Sequence, residues 1–315
     1  MEPGSPAPVC GPNSTKGGRV PGTQTHRVRG VTSSLVASVL FGGMFLLYGV
    51  VDASAESQFG WRMIVTVLCY GAALATRAGR AALLQLWNVL ASAWWMPLIL
   101  LLLSALVGFQ MWLFAWTPGH GYGLDASLGY LLLPIALMLI GRLLFGEQVS
   151  SLQWIAVAVA VAAVVAKIVL TAAVSWVTFA VCIGYAVYFT GRKHTRLDLP
   201  ATFGGEVVLL LPVAVGFVIF APGATTAGGQ TAVLIAGFAG MLAMSAYLGA
   251  SRLLTLPLFG LLSYVEPVLM FVVSLLLGER LHPYDGAVYG LLAVALAVLA
   301  VDGFRASRAI GTAPA

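Results

Sequence analysis

The sequence predicts an all-α integral membrane protein with about ten transmembrane helices, arranged as two inverted five-helix repeats. Of its 315 residues, 60% are hydrophobic and only 9% are charged, and the mean hydropathy is +0.97. A soluble domain averages about 25% charged residues, so this chain has too few charges to cover a water-facing surface. Its apolar runs, such as 94–116 and 152–173, reach the about 20 residues that a helix needs to cross a bilayer.

The form of these runs distinguishes helices from the strands of a barrel. Lipid offers the backbone no hydrogen-bond partners, so a spanning segment must be a helix or part of a closed barrel. Barrel strands alternate apolar and polar residues over about ten positions, whereas the runs here are long and unbroken. The spans are therefore predicted to be helices.

The first 29 residues differ in composition from the rest of the chain. They are rich in Pro, Gly, Ser and Thr and carry several basic residues, a composition that cannot form a packed core. Residues 1–29 are therefore predicted to be a disordered, basic cytoplasmic tail. They lack the pattern of a cleaved signal peptide, because the first long apolar run begins only near Val31 and further spans follow it.

Ten apolar segments follow the tail. The predicted spans are 31–51, 58–76, 94–116, 124–145, 152–173, 174–191, 205–221, 231–250, 258–277 and 284–303. Because Thr171–Ser175 is the only break between the fifth and sixth spans, a tight helical hairpin is expected there. This division gives a first repeat at 30–173, a second at 174–304 and a short cytoplasmic tail at 305–315.

The basic residues test the count of ten. With ten spans, 13 of the 16 Lys and Arg residues fall on one side, and Arg62, Lys167 and Arg280 fall on the other side or at outer membrane depth. Positive charge marks the cytoplasmic side, so both termini are predicted to be cytoplasmic in a multi-pass protein of the cell (inner or plasma) membrane. The same asymmetry accounts for the net charge of +5 without nucleic acid as a partner.

A motif recurs in the two halves. Tyr130, Pro134 and Gly146-Glu147 correspond to Tyr264, Pro267 and Gly278-Glu279, and each interval differs by one residue. The offset of about 132 residues holds five spans, and an odd number of spans places the two copies in opposite orientations. Inverted repeats are a recurring design of secondary transporters, whose substrate site lies near the midplane between them.

On these residues the chain resembles the drug/metabolite transporter superfamily, in particular EamA-type proteins of the RarD branch. The resemblance runs from Gly30 to Phe304. The segments that carry it include Leu124–Tyr130, Gln153–Val157, Glu206, Leu211-Pro212, Arg252, Gly260 and Pro267–Met270. It implies ten helices, cytoplasmic termini and export of drugs or metabolites. The chain departs from the branch's usual pattern at Gln110, Lys167 and Glu266, which bears on the substrate and not on the fold.

Glu266 is the leading candidate for the transport site. An ionisable residue at membrane depth costs at least about 2.5–3.5 kcal/mol on insertion scales, so its presence suggests a function. It directly precedes Pro267, which frees a backbone carbonyl and kinks a helix. We expect Glu266 to bind a proton or a cationic group of the substrate; the alternative is a structural pair with a neighbour.

Further polar residues are candidates for substrate or proton binding. Gln110, Tyr130 and Tyr264 are central enough to line a cavity, and Pro134 is a helix-break candidate like Pro267. Lys167 either snorkels to the interface or acts as a counter-ion to Glu266 or to an anionic substrate. Glu206 either favours a helix N-terminus or guards an inner gate.

The sequence leaves three classes of function to compare. A proton-coupled secondary exporter of a small molecule fits best, with membrane lipid around it and no P-loop in the chain. A receptor or scaffold without transport is the alternative. A membrane-embedded enzyme is a weaker one, because no HExxH or GxSxG occurs and no His, Asp or Ser cluster shares one depth. The three cysteines fit no metal spacing, so no metal or cofactor is expected.

Overall fold

The structure, a computed structural model, describes residues 21–146, 149–171, 175–254, 258–259, 262–281, 283 and 285–311. Within these residues the regular elements are α-helices, and no strand occurs among them. The first six helices are α1 (Pro21–Val50), α2 (Ala55–Ala73), α3 (Arg77–Leu90), α4 (Met96–Gly119), α5 (Gly123–Phe145) and α6 (Ser151–Thr171). The other five are α7 (Trp176–His194), α8 (Thr202–Phe220), α9 (Ala227–Leu253), α10 (Val265–Leu276) and α11 (Asp285–Gly311).

Five of the helices are long and apolar enough to cross a membrane by themselves. These segments are Val28–Val50, Met96–Gly119, Gly123–Leu144, Thr202–Phe220 and Ala227–Ser251. The pair α2 and α3 passes the same test together but bends by 108° at a short break, which gives six spans if the pair counts as one. Shorter apolar helices occupy Ser151–Lys167, Val265–Leu276 and Asp285–Leu299.

The structure differs from the sequence prediction at three places. Residues 21–29, assigned to a disordered tail, belong to α1, and α11 continues through residues 305–311, which were assigned to the C-terminal tail. A helix can extend past the apolar core of a span, where its polar residues meet water. The third difference is α3, which the sequence analysis did not predict because a short amphipathic segment lacks the apolar run of a span.

The surface of the bundle is apolar where a soluble protein would be polar. Large side chains such as Leu102, Val161, Val187 and Val208 are about half exposed or more, and Phe220 is almost fully exposed. A monomeric soluble protein rarely exposes apolar patches of this extent. The exterior therefore fits a protein surrounded by lipid.

The main internal cluster joins helices from both halves of the chain. Its buried side chains come mostly from α1, α4, α5, α7, α9 and α10, and include Phe45, Phe114, Val181, Ala243 and Met270. The helices that pack most extensively on each other are α1 with α9, α6 with α11, α2 with α8, and α5 with α7. The centre of the protein thus lies where the two halves meet.

Two glycines lie where the backbones of neighbouring helices approach closely. A Cβ atom at Gly60 of α2 would lie 2.7 Å from the Ala214 carbonyl oxygen of α8, and one at Gly129 of α5 would lie 2.7 Å from the Thr178 oxygen of α7. A larger residue would separate these helix pairs. Small residues at such crossings are common in membrane bundles.

The Gly-Glu motif ends a helix in both halves. Gly146 caps α5 with φ +64° and Gly278 follows α10 with φ +95°. This left-handed backbone conformation favours glycine. Glu147 lies outside the described residues. Glu279 lies within them and accepts hydrogen bonds from the first turn of α5.

Candidate substrate and proton site

Glu266 lies just after a turn that precedes helix α10. Residues 263–264 form a turn, and α10 begins at Val265, which places Glu266 and Pro267 in its first turn. Proline is well tolerated there because the first N–H groups of a helix have no intrahelical partner. Glu266 is half-buried, and its carboxyl lies within electrostatic range of the Arg62 guanidinium.

Arg62 belongs to α2 and is only 5% exposed. It lies seven residues from the start of the helix, or about 10 Å along its axis at 1.5 Å per residue. Its guanidinium carbon is 5.9 Å from the centroid of the Phe114 ring. On the other side Gly240 of α9 makes room for it, since a Cβ atom there would lie 2.9 Å from Nε of Arg62. A buried cation and a half-buried carboxyl thus face the same central region.

Tyrosines surround this pair. The hydroxyl of Tyr130 on α5 donates to that of Tyr185 on α7 at 3.2 Å, and both lie within electrostatic range of Glu266 and Arg62. Tyr247 of α9 also interacts with Glu266, and its hydroxyl is 3.2 Å from the Ser263 hydroxyl. Helices α2, α5, α7, α9 and α10 therefore all contribute a polar side chain to one place.

Aromatic rings form the wall of this region. Phe114 packs edge-to-face against Tyr130 at 6.2 Å between centroids and against Phe41 at 6.4 Å. Phe41 in turn meets Tyr247 at 6.5 Å. Such a wall suits an apolar or aromatic part of a ligand.

Gln110 and Tyr264 lie apart from the Glu266 carboxyl. Gln110 is buried at the contact of α4 with α7, where its Nε2 donates to the Ala180 carbonyl at 2.7 Å. Its Oε1 is buried without a hydrogen-bond partner. Tyr264 immediately precedes α10 and packs against a separate apolar cluster formed by α5, α6 and α11. Pro134 lies inside α5, which continues past it to Phe145.

Glu206 forms a buried polar cluster at one end of the bundle, here termed the Glu206 end. Its side chain is fully buried, and its Oε2 accepts a hydrogen bond from the Tyr188 hydroxyl at 2.7 Å. Arg192 donates to the same hydroxyl at 2.7 Å and lies 3.7 Å from Oε2. Ser104 of α4 donates to the Glu206 backbone carbonyl at 2.7 Å. The cluster ties the α7–α8 hairpin to α4.

Lys167 lies at the opposite end, termed the Glu279 end. Its ammonium forms a largely buried ion pair with Asp285 at the start of α11. A cavity of about 600 Å³ opens there, lined by residues that include Asp125, Lys167, Glu279, Arg280 and Asp285. The ion pair of Lys167 is thus with Asp285, 118 residues away in sequence, whereas the sequence analysis had named Glu266 or an anionic substrate.

Glu279 binds the first turn of α5 across this cavity. Its two carboxylate oxygens accept the backbone N–H groups of Gly123 at 2.7 Å and Leu124 at 2.9 Å. Partial burial raises the pKa of the Glu279 carboxyl, and the two backbone hydrogen bonds oppose that shift. The first turn of a helix has free N–H groups and a positive dipole end, so a carboxylate is stabilised there.

Sequence reasoning missed two members of the central region. Arg62 was counted with the outer charges, although it lies inside the predicted span 58–76, and this position was the available signal. Tyr185 carried no distinguishing pattern. No group of His, Cys, Asp and Glu within the described residues could hold a metal ion.

Curated relatives cover almost the whole chain. An uncharacterized transporter of Haemophilus influenzae is 36% identical over 87% of this chain and 94% of its own length. The chloramphenicol-sensitive protein RarD of Pseudomonas aeruginosa is 35% identical over 89% of this chain and 96% of its own. The chain belongs to the RarD-type transporter family. It is accordingly a membrane transporter, and the resemblance found in the sequence is confirmed.

Two further comparisons were made, with family models and with solved structures. No family model matches it. A solved crystal structure, 18% identical in sequence, covers 89% of this chain and 98% of its own with a TM-score of 0.50. At that identity the likeness shows the fold alone.

Proposed function

We propose that the protein is a ten-span secondary transporter that exports a small metabolite or drug-like molecule, coupled to protons, through a site between two inverted repeats. The observation that carries the proposal is the meeting of Glu266, Arg62 and three tyrosines from five helices of both halves. Ionisable groups at membrane depth mark substrate and ion pathways. Binding at a broken helix between repeats is typical of secondary transporters.

The packing of the helices supports the inverted repeats at 30–173 and 174–304. If α1, α2, α4, α5 and α6 correspond in order to α7, α8, α9, α10 and α11, most packed pairs have a packed counterpart. Helix α1 packs on α9 as α7 packs on α4, and α5 packs on α7 as α10 packs on α1. The pairs α2–α8, α5–α10 and α6–α11 map onto themselves. The left-handed glycines after α5 and α10 obey the same correspondence.

The charges support a topology with both termini in the cytoplasm. Arg77, Arg80, Arg142, Arg192 and Lys193 all lie at the end of the bundle that holds Glu206. Since positive loops mark the cytoplasmic side, the Glu206 end faces the cytoplasm of a bacterial-type cell membrane in this proposal. The Glu279 end then faces outward, with its cavity as the outer vestibule.

The two polar clusters fit alternating access to the central region. Glu279 holds the outer end of α5, and the Tyr188–Glu206–Arg192 cluster holds α7, α8 and α4 together at the inner end. Release of either contact would free its end of the bundle to open. Glu266 would carry the proton between the two openings, and the alternation would prevent a continuous pore.

A substrate screen in proteoliposomes tests this function. Purified protein is reconstituted under an imposed pH gradient, internal pH is recorded, and amino acids, nucleobases, quaternary amines and chloramphenicol are added in turn. Proton movement that requires both the protein and one compound supports coupled transport. Binding of a compound without movement of protons or of the compound would favour a receptor or scaffold, and turnover of a compound would favour an enzyme.

A further inference from the structure

Arg62 is a buried cation. The ion pairs within the described part of the chain belong to Lys167 and Arg192, and none includes Arg62. Taking a guanidinium out of water without a partner costs several kcal/mol. The Glu266 charge acts on it from a distance, and the Phe114 ring offers a cation–π contact at 5.9 Å. Neither supplies hydrogen-bond acceptors to the donor fork.

Tyr48 of α1 provides an independent observation at the same place. It is 2% exposed, and its hydroxyl lies close enough to Arg62 to interact with the guanidinium. Arginine has no acceptor atom, and no acceptor among the described residues receives the Tyr48 proton. A buried hydroxyl without an acceptor is costly in a low-dielectric interior. The Tyr48 hydroxyl oxygen therefore faces the Arg62 guanidinium, and within the described residues the Tyr48 proton has no acceptor and Arg62 has no anionic partner.

The neighbouring helix α9 and Thr66 of α2 hold Arg62 in position. Gly240 leaves space for the Arg62 side chain, because a Cβ atom there would lie 2.9 Å from its Nε and 2.8 Å from Sδ of Met44. A Cβ atom at Gly237 would lie 3.3 Å from the Cα atom of Arg62. Thr66 donates to the Arg62 carbonyl at 2.7 Å, so that oxygen is occupied.

From this arrangement we infer that the transported compound carries a carboxylate, which Arg62 and Tyr48 bind together. The inference rests on the proposed transport function and names its substrate class. A carboxylate offers two coplanar oxygens that match the guanidinium fork and still accept a hydroxyl proton. The aromatic rings of Phe41, Phe114 and Tyr247 contact the apolar remainder of the compound.

Matched pairs of acids and amides test the inference in binding. The probes are acetate with acetamide, benzoate with benzamide, and 3-phenylpropanoate with 3-phenylpropanamide, measured by calorimetry on the full-length protein in detergent. Each pair has nearly the same shape and differs in charge. We expect at least one acid to bind tenfold or more tightly than its amide. No preference for the acid in any pair would overturn the inference.

Variants then assign the preference to residues. Arg62→Met should reduce the acid-over-amide ratio to about one, and Tyr48→Phe should lower it several-fold. Arg80→Gln, at an exposed position of α3, should leave it unchanged. A ratio retained in Arg62→Met, or lost in Arg80→Gln, would overturn the assignment. If Arg62→Met does not give folded protein, Tyr48→Phe decides the matter.

Failure of this inference and failure of the proposed function give different results. Proton movement driven only by uncharged or cationic compounds would preserve coupled transport and reject the carboxylate. Tight binding of an acid through Arg62 without any transport would preserve the carboxylate site and reject the transporter cycle.

Discussion

Glu279 accepts the backbone N–H of Gly123 at 2.7 Å and thereby joins the loop after α10 to the start of α5, 156 residues away in sequence. The second oxygen accepts the N–H of Leu124 at 2.9 Å. Caps of this kind usually come from a residue next to the helix; here the cap comes from the other half of the chain. The contact makes the second copy of the Gly-Glu motif, Gly278-Glu279, part of the helix packing.

Glu279→Ala should weaken the outer end of the bundle. Loss of the two hydrogen bonds leaves two N–H groups of α5 without partners, and loss of a helix cap costs about 1 kcal/mol. Thermal unfolding in detergent should show a lower midpoint than for the wild type. Arg280→Ala, at the exposed neighbouring position, is the matched control. An unchanged unfolding midpoint in Glu279→Ala would show that the Glu279 hydrogen bonds do not stabilise the fold.

Lys167 and Asp285 should behave as a coupled pair. Lys167→Met and Asp285→Asn each leave the other charge partly buried, and each should lower the free energy of unfolding by about 2 kcal/mol. The double variant should lose less than the sum, with a coupling energy of about 1 kcal/mol or more. Strict additivity in chemical unfolding would mean that the contact contributes nothing to stability.

Tyr188→Phe should destabilise the inner cluster. The Tyr188 hydroxyl bridges Arg192 and Glu206 with two hydrogen bonds of 2.7 Å. Without it the buried Glu206 carboxylate loses a donor, at a cost of about 1–3 kcal/mol. Limited proteolysis of the α7–α8 loop and thermal unfolding should both report the change. Tyr122→Phe at the opposite end should leave this loop as protected as in the wild type.

Gly184→Ala should displace the Gln110 side chain from its contact with α7. A Cβ atom at Gly184 would lie 1.7 Å from Nε2 of Gln110, which now donates to the Ala180 carbonyl at 2.7 Å. Gly216→Ala is a suitable control, because its Cβ atom would meet nothing within 4 Å. Because the end of the Gln110 side chain can move away, we expect the loss of one hydrogen bond, about 1 kcal/mol, in the first variant. Equal stability of the two variants would contradict the packing described here.

The elements that the sequence predicted best are those with strong apolar patterns. The break predicted at 171–175 coincides with the end of α6 at Thr171 and with Ser175, which caps α7, because serine is a favoured N-cap residue. By contrast α3, with Arg77 and Arg80 in its first turn, escaped prediction because its apolar face is too narrow to resemble a span. Composition detects full spans and overlooks short amphipathic helices.

The central region was predicted only in part. Glu266 and Tyr130 were identified from charge at membrane depth and from the repeat, and both lie in it. Arg62 was missed because charge counting assigns a residue to a side of the membrane and ignores what it faces. Its approach to Tyr48 depends on how α1, α2 and α9 pack, and no local pattern in the sequence contains that information.

The most direct test of the central claim compares net transport with exchange in Glu266→Gln. Wild-type protein and the variant are reconstituted in proteoliposomes with a compound that the wild type moves together with protons, and Gly216→Ala serves as a control. We predict that Glu266→Gln loses proton movement and net flux but still exchanges the compound across the membrane at equal concentrations. Proton movement at the wild-type rate in Glu266→Gln would contradict the role of Glu266 as the proton carrier.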